Sequence, residues 1–319
     1  MRAYKIVLIL VTVLAIALSL MNASWIAAKP NGPLVLIAHR GIAQPFDRAA
    51  AAGDCSARHV SDTGHRFIEN TLFSMQSALA QGARGLALDV RASADGHAMI
   101  FRDADLSCRT DGSGRLAERP LGYLRGLDIG HGYTADGGRT HPLRGRGVGG
   151  MPVAEEVLRA FPALTLIFTL SEPRDADALV AAFGRAGMAI AERHGFAGAP
   201  AALARLRHLT QAGWLIDPQT SAACLNRYRA WGWLGLVPEA CRGVTAIIPR
   251  RGEWTLWGWP YRFLGRLAGG GARLFIAGDA GDGELVGLER PEQLGEVPHD
   301  YRGLLLIEDM HDVGRALER

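Results

Sequence analysis

Several stretches of this chain end in groups able to do chemistry. The apolar run "LVLIAH" (34–39) ends in His39, and Arg40 and Gly41 follow at once. "GLALDV" (85–90) carries Asp89 among apolar residues, and "HAMIFRD" (97–103) runs into Arg102 and Asp103. An Asp95-Gly96 pair between these two stretches is a hairpin-turn signal. A histidine beside an arginine joins a proton-transfer group to a guanidinium that can clamp a phosphate. A carboxylate at a strand end offers an oxygen ligand to a cation. Gly41 lets the chain turn and approach a ligand closely. Ala87, two residues before Asp89, and Arg102, directly before Asp103, are odd companions for a metal site.

Such side chains need strands whose ends converge. Short apolar runs recur at 34–39, 85–90, 164–170, 188–193, 213–217, 245–249, 273–278 and 303–309. Helical patterns intervene at 70–81, 153–160, 175–186, 199–208, 220–231 and 260–268. Eight buried strands alternating with helices predict an α/β chain of the (β/α)8 TIM-barrel class, with "HAMIFRD" as a hairpin insertion after the second strand. A doubly wound open sheet is the alternative, but no Gly-rich dinucleotide fingerprint follows the first strand. Barrel function gathers at strand C-termini. Those ends read His39 and Arg40, Asp89, Thr169 to Glu172, Glu192 and His194, Asp217, and Glu308 and Asp309. The Gly-rich stretches 130–150 and 277–287 match no phosphate-binding loop and read as surface loops.

The 319 residues are enough for a real core, and 21% charged with 48% hydrophobic residues is ordinary for a globular chain. The formal charge is +3, but Arg2, Lys5 and Lys29 precede Pro30 with no acid among them, so residues 30–319 balance at zero (3 − 3). Nothing in this resembles a nucleic-acid footprint. Lys5 and Lys29 are the chain's lysines, so the body's fixed cations are arginines. Residues 6–21 are nearly all apolar and follow Arg2 and Lys5, so 1–29 reads as a membrane anchor or signal segment, and 30–319 as an exported barrel body. The length to Ala28 is enough to span a bilayer, which favours the anchor. Export puts Cys55, Cys108, Cys224 and Cys241 in an oxidising compartment, where two disulfides are expected. Zinc is the rival, but no two cysteines have the C-x2-C spacing.

"LIAHRG" (36–41), "ENTLFSMQSALAQGARGLALDV" (69–90), "SADGHAMIFRDADLSCRTDGSG" (93–114) and "MPVAEEVL" (151–158) together resemble the glycerophosphodiester phosphodiesterase family. "RYRAWGWLGLVPEAC" (227–241) and "WGWPYRFLGRL" (257–267) resemble an exported bacterial branch of it. The resemblance implies a PLC-like phosphodiesterase barrel with the same hairpin insertion. It also implies cleavage of deacylated phospholipids to glycerol 3-phosphate and an alcohol. A divalent ion, Mg²⁺ or Ca²⁺, would be held by three carboxylates, with two histidines as base and acid. On this reading His39 is the first histidine, Asp89 the retained ion ligand and Glu69 the acid of the "ENT" motif. Arg40, Glu69, Arg102 and Asp103 are then the candidate contacts to the phosphate. The expected disulfides are Cys224–Cys241, closing a short loop, and Cys55–Cys108, joining the long loop after the first strand to the segment past the hairpin.

The departures are as informative. The family's Glu-x-Asp is Ala87-Leu88-Asp89 here, its second histidine is Arg102, and its Glu-x-Lys is Thr169-Leu170-Ser171. A hard divalent ion needs several oxygen ligands, so Asp89 facing Arg102 would hold one weakly. Arginine stays protonated and cannot replace a histidine in proton transfer. The reading is therefore an impaired relative whose pocket binds a glycerophosphodiester or phospholipid head group, with Arg102 expected to pair with Asp89 or Glu69. The alternative is an active phosphodiesterase or phospholipase. It would use Arg40 and Arg102 in place of the ion, as bacterial phosphatidylinositol phospholipases resemble, or a rearranged metal set of Asp89, Asp217 and Glu308. His39 would be its base, and Glu192 or His194 its acid. A sugar-active barrel with two carboxylates gives the His-Arg-Gly and ENT motifs no role.

Overall fold

The computed structural model describes residues 2–51, 54–61, 64–211, 213–248, 255–279 and 285–317. Pro249 and the middle of the 277–287 stretch, residues 280–284, lie outside them. Strands run β1 Leu34–His39, β2 Gly85–Ala92, β3 Ala98–Ile100, β4 Thr165–Leu170, β5 Gly195–Gly198, β6 Trp214–Ile216, β7 Thr245–Ile248, β8 Arg273–Ile276, β9 Gly278–Asp279, β10 Leu285–Val286 and β11 Gly303–Ile307. The α-helices are α1 Arg2–Asn22, α2 Leu72–Ala80, α3 Leu121–Leu124, α4 Ala154–Ala160, α5 Pro173–Arg185, α6 Pro200–Leu209, α7 Pro218–Trp231, α8 Tyr261–Gly269 and α9 Met310–Leu317. The main sheet has the order β6-β5-β4-β2-β1-β11-β8-β7, with β3 antiparallel on β2. Its eight main strands follow one another in sequence with helices between them, which is the (β/α)8 TIM-barrel class.

Two compact units are distinguished. One comprises Met1–Leu34, Ile216–Leu285 and Gly295–Leu305, the other Val35–Leu215, Val286–Leu294 and Leu306–Arg319. The second holds His39, Arg40, Glu69, Asp89, Arg102, Asp103 and Glu308. Within it β2 is buried from Gly85 to Val90, on both faces, as a strand inside a parallel sheet must be. Its register pairs His39 with Ala87 on one side and Asp89 with Thr169 on the other.

Local chemistry fixes the elements around these strands. Thr71 caps α2, its Oγ1 accepting from the Ser74 amide at 3.1 Å. Pro173 opens α5, and Asp175 Oδ2 accepts from the amides of Ser171 and Glu172. The other oxygen of Asp175 accepts from Ala92 N at 2.8 Å, tying the start of the helix to the end of β2. Gly41 (φ +80°) has no room for a Cβ, which would lie 2.8 Å from the Met75 amide nitrogen. The segment after β1 can lie against α2 because that residue is glycine. Both disulfides form as expected, Cys55–Cys108 in one unit and Cys224–Cys241 in the other. A loop as short as that of the second bridge is stabilised by about 3 kcal/mol.

One strand differs from the sequence reading. The apolar run 188–193 is not a strand, and β5 is Gly195–Gly198 instead. Glu192 and His194 therefore lie at the N-terminal end of the strand, away from the catalytic face of a barrel, and Glu192 is exposed. His194 is 1% exposed and lies against the rings of Phe168 and Phe183, with centroids 6.4 and 5.5 Å away. Burial, aided by Arg193, pushes its pKa down from 6.5 to about 4. An unfolded chain takes up that proton near pH 6.5 and the folded chain only near 4. Stability is thus lost as the pH falls through this interval. Urea unfolding at pH 7 and pH 5 is expected to show a larger drop for the unmodified chain than for His194→Phe.

Candidate active site

The site is built on the ends of β1, β2 and β11. Arg40 follows β1 with φ 61°, and Asn70 has φ 58°, a left-handed backbone that non-glycine residues rarely adopt. The two are joined through the Asn70 amide, which donates to Arg40 O at 2.8 Å, while Arg40 N donates to Ala87 O at 2.7 Å. Both side chains then converge on one oxygen. Arg40 Nε donates to Asp89 Oδ2 at 2.6 Å, and Asn70 Nδ2 donates to the same atom at 3.1 Å. Two unusual backbone conformations serve a single carboxylate. Strain of this kind clusters at functional sites.

Arg40 is 1% exposed, so its charge is held by protein alone. Its NH1 lies 3.5 Å from Glu308 Oε1. Glu308 in turn faces His39, with Oε2 2.8 Å from Nδ1, and accepts from the Gly287 amide at 3.2 Å. Arg48 reaches the same carboxylate at 3.4 Å while pairing through Nε with Glu289. Burial would raise the Asp89 carboxyl, but Arg40, helped by His39, Arg102 and the Asn70 amide, holds it well below the usual carboxylate range. Burial of Glu308 is outweighed in the same way by His39, Arg40 and Arg48. Both acids are ionised at neutral pH.

Beside this group lies a second one. Arg109, 3% exposed, pairs through Nε with Asp103 at 2.7 Å and through NH2 with Glu69 at 3.4 Å. Burial works against its charge, and Asp103 and Glu69 more than restore it. Ser56 Oγ accepts from Arg109 NH2 at 2.6 Å and from Arg102 NH1 at 3.0 Å. The guanidinium of Arg102 also lies over the Phe46 ring, 5.6 Å from its centroid, and Arg48 lies 4.8 Å from the same centroid.

The candidate residues His39, Arg40, Glu69, Asp89, Arg102 and Asp103 thus fall into two adjoining networks. Arg40 pairs with Asp89, and Arg109 pairs with Glu69. Arg102 contributes to holding the Asp89 carboxyl down and is itself held by Ser56. Asp217 is used locally, its Oδ1 accepting from the Gln219 amide to cap α7. Sequence reasoning missed Phe46, Arg48, Ser56 and Arg109. For two of them the signal was a polar residue beside a disulfide cysteine, since Ser56 adjoins Cys55 and Arg109 adjoins Cys108.

A divalent ion does not fit this donor set. Asp89 Oδ2 is already taken by Arg40 and Asn70, and its β4 register partner, Thr169, offers no carboxylate. Among the described residues no group of three or more His, Cys, Asp or Glu is arranged to hold a metal. Removing the resident cation should then expose two unbalanced acids. Arg40→Met is expected to destabilise the fold by about 3–5 kcal/mol in urea unfolding at pH 7. Arg40→Lys, which keeps the charge but loses the fork, should cost less.

Residues 57–180 match the model of the glycerophosphoryl diester phosphodiesterase family. An uncharacterized Mycobacterium tuberculosis protein, Rv2277c, is 34% identical over 107 residues, covering 33% of this chain and 35% of that protein. Bovine glycerophosphodiester phosphodiesterase 1 is 31% identical over 87 residues, covering 27% of this chain and 24% of that protein. The matched stretch spans about a third or less of these curated relatives. In three dimensions the likeness is longer. The glycerophosphoryl diester phosphodiesterase domain of Rv2277c superposes with TM-score 0.62 at 20% identity, over 91% of this chain and 100% of that one. A phosphodiesterase of Oleispira antarctica, solved with sn-glycerol-3-phosphate, gives 0.55 at 18% identity, over 91% and 98%. These structures share the barrel fold. Over residues 57–180 the sequence is similar to the glycerophosphoryl diester phosphodiesterase family, and most of the chain shares the barrel fold of its solved relatives.

Proposed function

We propose that this chain binds a phosphodiester, of the glycerophosphodiester or phospholipid head-group class, and has lost divalent-metal hydrolysis. The Arg40–Asp89 contact at 2.6 Å carries this reading, because it commits the one retained ion ligand to a resident guanidinium. Arg48 and Arg102, both partly exposed and flanking Phe46, are the groups we assign to the phosphate. Guanidinium forks meet phosphate oxygens in pairs, which suits such a ligand. Glu69 and Asp103 then act through Arg109 as positioning residues. The Oleispira relative with bound sn-glycerol-3-phosphate supports the ligand class.

A second reading is favoured by the His39–Glu308 pair. With Nδ1–H donated to Glu308, His39 Nε2 keeps its lone pair and is a general base. Hydrolysis could then run on arginines without an ion. It lacks the general acid that the sequence offered, because Glu192 and His194 sit at the far end of β5.

We infer further that the body is exported, since both disulfides form best in an oxidising compartment. The apolar helix α1 supplies the signal or anchor, being long and apolar enough to cross a membrane.

The test is a phosphodiesterase assay on glycerophosphocholine with Mg²⁺, Ca²⁺ or chelator. No metal-stimulated release of glycerol 3-phosphate is expected from the unmodified chain or from Arg102→His alone. The triple change Ala87→Glu, Arg102→His, Thr169→Glu is expected to gain it. Glycerol 3-phosphate should bind the unmodified chain, and Arg102→Ala should weaken that binding roughly tenfold or more. Strong metal-dependent turnover by the unmodified chain would refute the reading. Chelator-resistant turnover that His39→Gln abolishes would establish the second one instead.

A further inference from the structure

The apolar helix α1 is not detached from the rest of its unit. Its length from Ala3 to Asn22 has a mean hydropathy of 2.4, and every residue from Ala3 to Ala17 is exposed. At the other end it is gripped by polar contacts. Arg266 on α8 donates through NH2 to Met21 O at 2.9 Å and through NH1 to Asn22 Oδ1 at 2.9 Å. The same NH1 reaches Tyr228 Oη and Gly232 O, so one guanidinium joins the helix terminus to α7 and the turn after it. A cation at a helix C-terminus also complements the helix dipole. Asn22 Nδ2 donates to Trp233 O at 2.8 Å, and Ser24 Oγ accepts from the Tyr261 amide at 2.8 Å. Past the helix, Lys29 is neutralised by Asp300 at 2.8 Å.

Around this junction the surface is aromatic. Trp25, Trp231 and Trp257 are 79%, 52% and 45% exposed, and Leu236 is 60% exposed. Such large side chains are rarely left in water together without a partner. The indole N–H of Trp257 is satisfied inside the protein, by Arg229 O at 2.8 Å, so an apolar ring face is what it offers outward. A groove of about 300 Å³ lined by Leu18, Ser19, Asn22, Trp233 and Trp257 runs beside the helix end.

We propose that α1 is a retained membrane anchor and that Trp25, Trp231 and Trp257 form an interfacial collar that seats this unit on the bilayer surface. A signal peptide destined for removal gives Arg266 no reason to bind its terminal carbonyl, and cleavage would strip that guanidinium of two of its acceptors. Tryptophan favours the headgroup level of a bilayer, which is where the end of a spanning helix emerges. Arg2 and Lys5 at the opposite end, against a neutralised Lys29, set the orientation with the body outside. The occupant of the aromatic surface is therefore lipid, not a second protein. None of this depends on what the barrel mouth binds.

The experiment uses the full chain, recovered from membranes and reconstituted in phosphatidylcholine vesicles whose lipids are brominated in the upper acyl chain. Intact mass should include residues 1–28. Part of the tryptophan emission should be quenched by the bromines, and Trp231→Phe with Trp257→Phe should remove about half or more of the quenchable signal. The single variants should each remove a share, and Trp214, buried in the other unit, should stay unquenched as the reporter of an intact fold. A mature chain lacking the helix would overturn the anchor. Quenching that the double variant leaves unchanged would overturn the collar, since tryptophans other than Trp231 and Trp257 would then account for it.

Discussion

A guanidinium removed from water must be neutralised where it lies, and Arg40 shows how far a structure bends to do so. Burying such an ion unpaired costs several kcal/mol, so its partners are placed by necessity. Asp89 comes from β2, Glu308 from the end of β11, and the backbone that delivers Arg40 takes a left-handed turn. Asn70 takes the same rare conformation to reach the same oxygen. His39 is then oriented by the acid that Arg40 has drawn in. The arrangement is a closed set of charges, in which each member fixes the next.

The second network extends this logic outward. Arg109 is buried between Asp103 and Glu69, and Tyr133 lies under its guanidinium with a hydroxyl pushed up by burial. Glu69 and Asp103 both point at an arginine. The acids around this group are thus engaged by guanidiniums, and Arg48 and Arg102 lie partly exposed beside the Phe46 ring.

Much of this was legible in the sequence, because the strands that carry it have strong apolar patterns. β1 ends at His39, β11 ends one residue before Glu308, β2 carries Asp89 three residues before its end, and the hairpin turn announces itself through Asp95-Gly96. β5 was not legible. Gly195 and Gly198 make it look like a loop, yet a Cβ at Gly198 would collide with Leu170 O, so the close spacing of β4 and β5 demands a strand poor in side chains. The run before it, 188–193, is more apolar and carries the stronger strand signal. The partners of the arginines were hidden for a different reason. That Arg40 reaches Asp89 depends on a left-handed backbone turn at Arg40, and φ is not written in residue type. Arg109 and Ser56 come together only through a contact 53 positions apart in sequence.

That contact coincides with a covalent one. Cys55 and Cys108 join across the same 53 positions, and their immediate neighbours, Ser56 and Arg109, share the hydrogen bond that also steadies Arg102. The bridge therefore bears part of the entropic cost of bringing Ser56 to the two guanidiniums, because it shortens the loop that the unfolded chain would otherwise have to close. One covalent bond in this way steadies a hydroxyl shared by two arginines.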